Sequence, residues 1–279
     1  VVSATRVEPP LHPDGPEKML VDFGIEVEDF DIDKFNNWAI NEYKPKHDTL
    51  VTEGIFAPWC MYKEDFLAIG GHDELFAPQS KEDSDIFNRF VLNGYKVLQT
   101  WEGLVYHFTS RGSRFNKHAG GGAGLNSQEW LYTTTKNMRN FIRKWGSPVK
   151  HDALMKPIIL PKYDIGIIFQ NANVEMLRAL EPWCSTIYAD CDIMEYITLE
   201  QANTSMDLKD KVKPYDNEKQ NQILIEINST FNQQDFEYLN QLPNILKDSG
   251  AIGEFQLGNL KITIIALDTF EQKLIKNDD

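Results

Sequence analysis

The chain has 279 residues, with 28 Lys and Arg against 42 Asp and Glu for a net charge of −14; 42% of residues are hydrophobic and 11% aromatic. Such acidity excludes a general nucleic-acid binder and a polybasic membrane-surface protein, both of which need clustered cations, while the length suffices for one large core or two ordinary ones. The sequence shows neither a bilayer-spanning apolar run nor a signal-peptide pattern, and Cys60, Cys184 and Cys191, odd in number and without metal-ligand spacing, read as reduced thiols in a cytoplasmic setting.

In chain order, Val1 to Thr5 reads as a strand already in progress that runs through Arg6 into a Pro9-Pro10 loop, with no initiating methionine, as expected of a fragment. Residues 8–50 form a long polar stretch with an acidic patch from Glu26 to Asp33 and a short helix over Ile32 to Tyr43, with Phe35, Trp38 and Ala39 on one face. The stretch suits either a recognition loop or a surface-wrapping insertion. Asp29-Phe-Asp31 and Asp31-Ile-Asp33 lack a preceding apolar strand and read as solvated charges. Trp59 lies in an apolar segment from Thr52 to Met61, where its ring could stack on a sugar or close a core. Gly70-Gly71 permits a positive-φ turn before His72 and Asp73, either of which could meet a hydroxyl, although Asp73 could equally cap the next turn.

The central stretch places Glu82, Asp83 and Asp85 in the first turn of a helix whose apolar face is Ile86, Phe87, Phe90 and Val91 and which Gly94 ends. Carboxylates there can simply complement the helix dipole; Arg89, four residues after Asp85, can pair with it. Two strands follow, Tyr95 to Thr100 and Leu104 to His107. Residues 110–124 are basic and glycine-rich, and suit either a linker or a lid whose Arg111, Arg114 and Lys117 close on a nucleotide diphosphate. Asn126 and Glu129 resemble a capping box for a helix reaching Trp145.

Residues 147–162, with Pro148, Pro157 and Pro161, read as a linker between a first domain, 1–146, and an accessory domain, 163–279. The latter shows strands at Tyr163 to Phe169, Ser185 to Ala189 and Ile223 to Ile227, helices at Val174 to Leu180 and Gln234 to Lys247, and a strand pair over Glu254 to Leu267. This alternation predicts a small α/β or α+β domain, with a ferredoxin-like arrangement as one form. Asp190-Cys191-Asp192 reads as a turn, and Glu200 to Gln222 as a loop.

The order Gly-Gly turn, Glu82-Asp83-x-Asp85, apolar helix with Arg89, Gly94-Tyr95, strand and Tyr106-His107 resembles the acceptor-side half of a family 2 glycosyltransferase with the GT-A (nucleotide-diphospho-sugar transferase-like) fold, over about the first 110 residues. The resemblance implies an α/β partial GT-A domain and inverting transfer of a sugar from a nucleotide-diphosphate donor to a carbohydrate or other hydroxyl acceptor. Asp83 would be general base, its pKa raised by Glu82 and Asp85, with Glu82 orienting the acceptor. Trp59, His72 and Asp73 would line the acceptor side, and His107 would complete a Mn²⁺ or Mg²⁺ site on the leaving diphosphate. In the family the nucleotide-binding strands and a metal-binding Asp-x-Asp precede this region, so the donor half is expected to be missing and the chain to be inactive alone. The competing expectation is a non-catalytic carbohydrate- or protein-binding module of the same fold. Nothing in the sequence indicates an oligomeric state.

Overall fold

A computed structural model describes residues 1–228 and 230–270. The chain divides into two compact units, Val1–Thr135 with Lys150–Ile158, and Lys136–Val149 with Ile159 onward. Both are mixed α/β, each with its own sheet.

In the first unit, β1 (Val2–Glu8) is the organising strand. It pairs in parallel with β2 (Lys18–Leu20). The chain then forms α1 (Ile32–Trp38), which passes through a π-type turn, Ala39–Tyr43, into α2 (Lys44–His47). Strands β3 (Val51–Glu53) and β4 (Trp59–Cys60) and helices α3 (Lys63–Ala68) and α4 (Glu82–Leu92) follow, then β5 (Leu98–Tyr106). Among the described residues the sheet order is β2-β1-β5-β3, with β4 antiparallel to the start of β1. The two strands expected at 95–100 and 104–107 are the two paired halves of β5. Leu98 to Thr100 faces Val2 to Ala4, Leu104 to Tyr106 faces Thr5 to Val7, and residues 101–103 bulge between them.

The polar 8–50 stretch is fastened by aromatic rings. Phe23, Phe30 and Phe35 meet Tyr106 with centroids 5.7, 4.8 and 5.9 Å away, and the Tyr106 hydroxyl accepts from the Phe23 amide and donates to the Gly24 carbonyl. A separate core under α4 joins Ile55, Ile69, Ile86, Phe87, Phe90 and Val97, with Trp59 and Phe66 at its margin. Gly54, next to Ile55 of that core, has no room for a side chain: a Cβ there would lie 1.8 Å from the Leu154 carbonyl oxygen, so only glycine fits.

Helix α5 (Gln128–Trp145) contributes to both units. Its cap is Ser127, whose hydroxyl accepts from the Trp130 amide. The expected cap, Asn126, accepts instead from Arg114 at 2.5 Å.

The second unit runs β6 (Ile165–Phe169), α6 (Val174–Leu180), β7 (Thr186–Ala189), α7 (Ile193–Glu200), α8 (Leu208–Lys211), β8 (Val212–Pro214), β9 (Ile223–Ile227), α9 (Gln233–Ser249), β10 (Gly253–Leu257) and β11 (Leu260–Ile264). The order is β10-β11-β9-β6-β7-β8. Strands β9, β6, β7 and β8 are mutually parallel, and the β11–β10 hairpin is antiparallel at one edge. These parallel ladders are those of an α/β sheet; a ferredoxin-like arrangement does not describe them. The stretch expected as a loop from Glu200 to Gln222 contains α8 and β8, elements too short to announce themselves by periodicity.

Alternate residues decide which face of this sheet is buried. Ile165, Ile167, Phe169, Ile187, Ile223, Ile225 and Ile262 point into one core with Leu177, Ile197, Leu239, Leu242 and Leu246 of the helices. The opposite face carries Gly166, Thr186, Glu226 and Lys261, and is crossed by residues 215–222, whose Asn221 bonds the Tyr188 hydroxyl and the Asp164 carboxylate.

Inside the second unit the later part of α5 is locked by a buried charge network. Arg143 bonds Glu181 at 2.7 Å and Glu200 at 2.6 Å; Lys211 and the Tyr196 hydroxyl also meet Glu181, both at 2.9 Å. Arg139 adds a bond to Glu200. Burial alone would raise the Glu181 pKa, yet Lys211 and Arg143 outweigh it and hold the carboxyl down at about 2.

Candidate active site

The proposed site begins at the turn before α4. Ser80 and Lys81 have φ of 76° and 78°, left-handed values that are uncommon outside glycine and that cluster at functional sites. The Ser80 hydroxyl is tied to that of Thr134 at 2.9 Å. The backbone then enters α4 abruptly, with the Asp85 amide donating to the Lys81 carbonyl. Asp85 is fully buried, and its carboxylate takes Arg89 at 2.8 Å while Arg89 also donates to the Ile69 carbonyl. That pair anchors the first turn, and Gly94, at φ 82°, ends the helix beyond Asn93.

Held by this frame, Glu82 and Asp83 are half-buried. The Asp83 carboxylate has no hydrogen-bond or ion-pair partner among the described residues, and the Glu82 Oε2 is likewise buried without one. Both carboxyls have raised pKa values. For Asp83 the cause is desolvation, which the positive potential of His72 partly offsets. For Glu82 it is desolvation, then its own backbone amide pulling downward and Asp83 pushing upward. Like-charge repulsion from Glu82 and Asp85 is the expected cause for Asp83; instead burial raises Asp83, Asp85 is paired with Arg89, and the repulsion within the Glu82–Asp83 pair shows on Glu82.

Around Asp83 the expected acceptor-side residues divide. Trp59 and His72 come together, their rings 6.2 Å apart, with Phe66 edge-on to His72 at 5.6 Å. Trp59 also packs edge-on against Phe90 of α4 at 5.2 Å, so it is core on one side. Asp73 instead caps the short turn Glu74–Phe76, accepting from the Leu75 amide at 2.9 Å.

The residues expected on the diphosphate lie elsewhere in the first unit. His107 follows β5 and its Nδ1 is 2.8 Å from Glu8 at the end of β1. Glu8 is 1% exposed and also takes Arg6 and Lys18; burial would raise its pKa, but the bonds from His107, Arg6 and Lys18 hold it at about 2. Arg6 is stacked on Phe56 at 3.5 Å and reaches Glu17. His12 lies over Phe115 at 5.8 Å, close enough to Glu8 and Arg114 to feel their charges. Arg111 and Lys117 both pair with Glu26, each at 3.2 Å, and Arg114 sits over Phe115 and Trp130. None of these residues bonds Asp83 or Glu82 among the described residues. Glu8 was missed in the sequence, although Arg6 and Glu8 fall on one face of β1 at period two, a spacing that announces a paired charge at a strand end. Among the described residues, no group of three His, Cys, Asp or Glu side chains could hold a metal ion, and no helix is long and apolar enough to cross a membrane.

At a rigidly framed helix start the chain thus presents the Asp83 carboxylate without a hydrogen-bond partner and one Glu82 oxygen buried without one, flanked by an indole and an imidazole. The family model for chondroitin N-acetylgalactosaminyltransferase matches residues 53–220, more than half of the chain, and the protein belongs to that family of glycosyltransferases. The match starts just before Gly54, takes in the whole α4 region and continues into the second unit as far as the segment after β8. Among curated proteins none matches the chain, and among solved structures none does.

Proposed function

We propose that the chain carries out inverting transfer of a sugar from a nucleotide-diphosphate sugar to an acceptor hydroxyl, as the acceptor-side part of a family 2-like GT-A transferase of the hexosyl type, with Asp83 as general base. The observation that carries this reading is the state of Asp83: half-buried, raised in pKa, without a partner, and fixed by Arg89–Asp85 and the Ser80–Lys81 turn. A base of raised pKa accepts a proton more readily than an ordinary carboxylate, and one without a partner has a free lone pair for the acceptor hydroxyl. As that oxygen attacks the anomeric carbon, its proton passes to Asp83 and the sugar–phosphate bond breaks, the electron pair leaving with the diphosphate. Glu82 orients the acceptor, and the Trp59 and His72 rings offer it a wall.

The donor side is less fully furnished by these residues. His107, backed by Glu8, stands at the carboxyl ends of the parallel strands β1 and β5, where ligands of α/β sheets gather. Its imidazole is a single ligand. Among the described residues no three-ligand group surrounds it, so the side chains present do not fit a Mn²⁺ or Mg²⁺ ion. The pairing of Arg111 and Lys117 with Glu26 favours the second reading, a non-catalytic carbohydrate- or protein-binding module. Asp83→Asn in the full-length protein separates the two. Loss of transfer with donor binding retained supports the enzyme, and unchanged behaviour in every assay supports the module.

A further inference from the structure

The second unit has a crevice that the transferase reading does not use. In its sheet the connection leaving β6 runs toward β7, whereas the one leaving β9 runs toward the β11–β10 edge. Neighbouring parallel strands whose chains depart in opposite directions leave a gap beyond their carboxyl ends, and open α/β sheets bind ligands there. A cavity of about 380 Å³ lies at that point, lined by Ile168, Gln170, Asn171, Tyr215, Gln256 and Asn259, a size within the range of small-ligand sites.

The chemistry of the walls selects the ligand. Sites of this topology commonly take a phosphate on the amides of the first strand-to-helix turn. Here those amides are occupied: Asn171 and Ala172 donate to the Asp190 carboxylate at 2.8 and 2.9 Å, and Asn173 caps α6 through the Met176 amide. The lysine in the wall, Lys261, is paired with Glu226 at 2.9 Å. An anionic ligand therefore meets a carboxylate and no free cation. What the wall offers is carboxamides, each able to donate and accept at once. Gln170 spends its amide on the Tyr215 hydroxyl and Asn259 spends its own on Asp235, leaving the two side-chain carbonyls open. Asn171 makes no side-chain hydrogen bond among the described residues. Ile168 and the Tyr215 ring supply apolar surface between these groups. Alternating donors and acceptors beside an apolar patch match a ring of vicinal hydroxyls with C–H faces.

We propose that this crevice binds an uncharged saccharide. The inference does not depend on the transferase site, since every residue it uses belongs to the second unit. The test uses the full chain, with lactose, cellobiose and diacetylchitobiose as probes and uridine diphosphate as the anionic control. Binding is followed by calorimetry and mapped by backbone-amide shifts. At least one disaccharide is expected to bind and to shift the amides of Gln170, Asn171 and Asn259. Gln170→Ala and Asn171→Gly, both at exposed positions and the second at a left-handed φ of 57° that glycine adopts freely, should weaken it at least about tenfold, with thermal midpoints nearly unchanged. Tyr215→Phe, which keeps the ring and removes the hydroxyl that holds Gln170, should give a smaller loss. Asp83→Asn should leave these shifts intact, so a failed transferase reading would not carry this one with it. The proposal is overturned if no disaccharide binds below about 10 mM, if binding survives both the Gln170 and the Asn171 variant, or if uridine diphosphate produces the same shifts.

Discussion

Asp83 in the first unit and Glu181 in the second are both carboxylates withdrawn from water, and their pKa values move in opposite directions. Glu181 is fully enclosed and answered by Arg143, Lys211 and the Tyr196 hydroxyl, so its charge is held more firmly than in water. Asp83 is less buried and has only the distant influence of His72. Depth of burial therefore does not decide the outcome; the supply of partners does. One carboxylate is a fastening, and the other is left without a partner, which is what the proposed base role requires.

The largest expected effect breaks the comparison on the Asp83 side. In the full-length protein, Asp83→Asn should reduce kcat by about 10²–10⁴, the usual contribution of a general base. The same change should leave the protein as stable as before, or more so, at neutral pH. A group whose folded pKa is raised weakens the fold as pH rises through that value, and the amide removes this loss. A denaturation midpoint that falls sharply would show Asp83 to be structural.

On the Glu181 side, Arg143→Met should destabilise by about 3–5 kcal/mol, because it leaves two buried carboxylates short of a cation. Urea titration measures it, and a loss under about 1 kcal/mol would mean that Lys211 and Arg139 suffice.

Acid should separate the paired from the unpaired carboxyls. Glu181 and Glu8 are both held at about 2 against an ordinary 4.5, so their stabilisation is complete above about pH 4.5 and is lost as pH falls toward 2, by about 3 kcal/mol each. Asp83 and Glu82, raised in pKa, change stability with the opposite sign at higher pH. Chemical denaturation across pH 2–7 should therefore show a steep acid limb that Glu181→Gln removes in part.

The smallest effect concerns His72. Its positive potential lowers the Asp83 pKa, so His72→Gln should move the acid limb of the kcat/KM profile to higher pH while leaving the plateau nearly unchanged. A fall in the plateau with no shift of the limb would give His72 a contact with the acceptor instead.

What could be read in the sequence was what lies close along the chain. The α4 start, the Asp85–Arg89 pair, the Gly94 stop and the Gly70-Gly71 turn, with φ of 90° and 66°, all follow from spacings of one to four residues. Glu8 with His107, separated by 99 residues, and Glu26 with Arg111 and Lys117 depend on which strand ends the sheet brings together, and no local pattern reports that. Strand β8 is three residues long and lies in polar sequence, so only its partner β7 reveals it. At Asn126 and Glu129 the capping pattern was real as a pattern, but the neighbouring Ser127 took the role and Arg114 claimed Asn126.

The left-handed pair at Ser80 and Lys81 has a consequence for how this region can vary. Left-handed backbone at two successive positions admits glycine freely, asparagine and aspartate at little cost, and valine, isoleucine or threonine only under strain. A saturation library at the two codons, selected for folded protein, should thus return a narrow alphabet at positions whose side chains are only half-buried. Its narrowness would come from the backbone geometry that sets the first turn of α4, independently of any contact the side chains make.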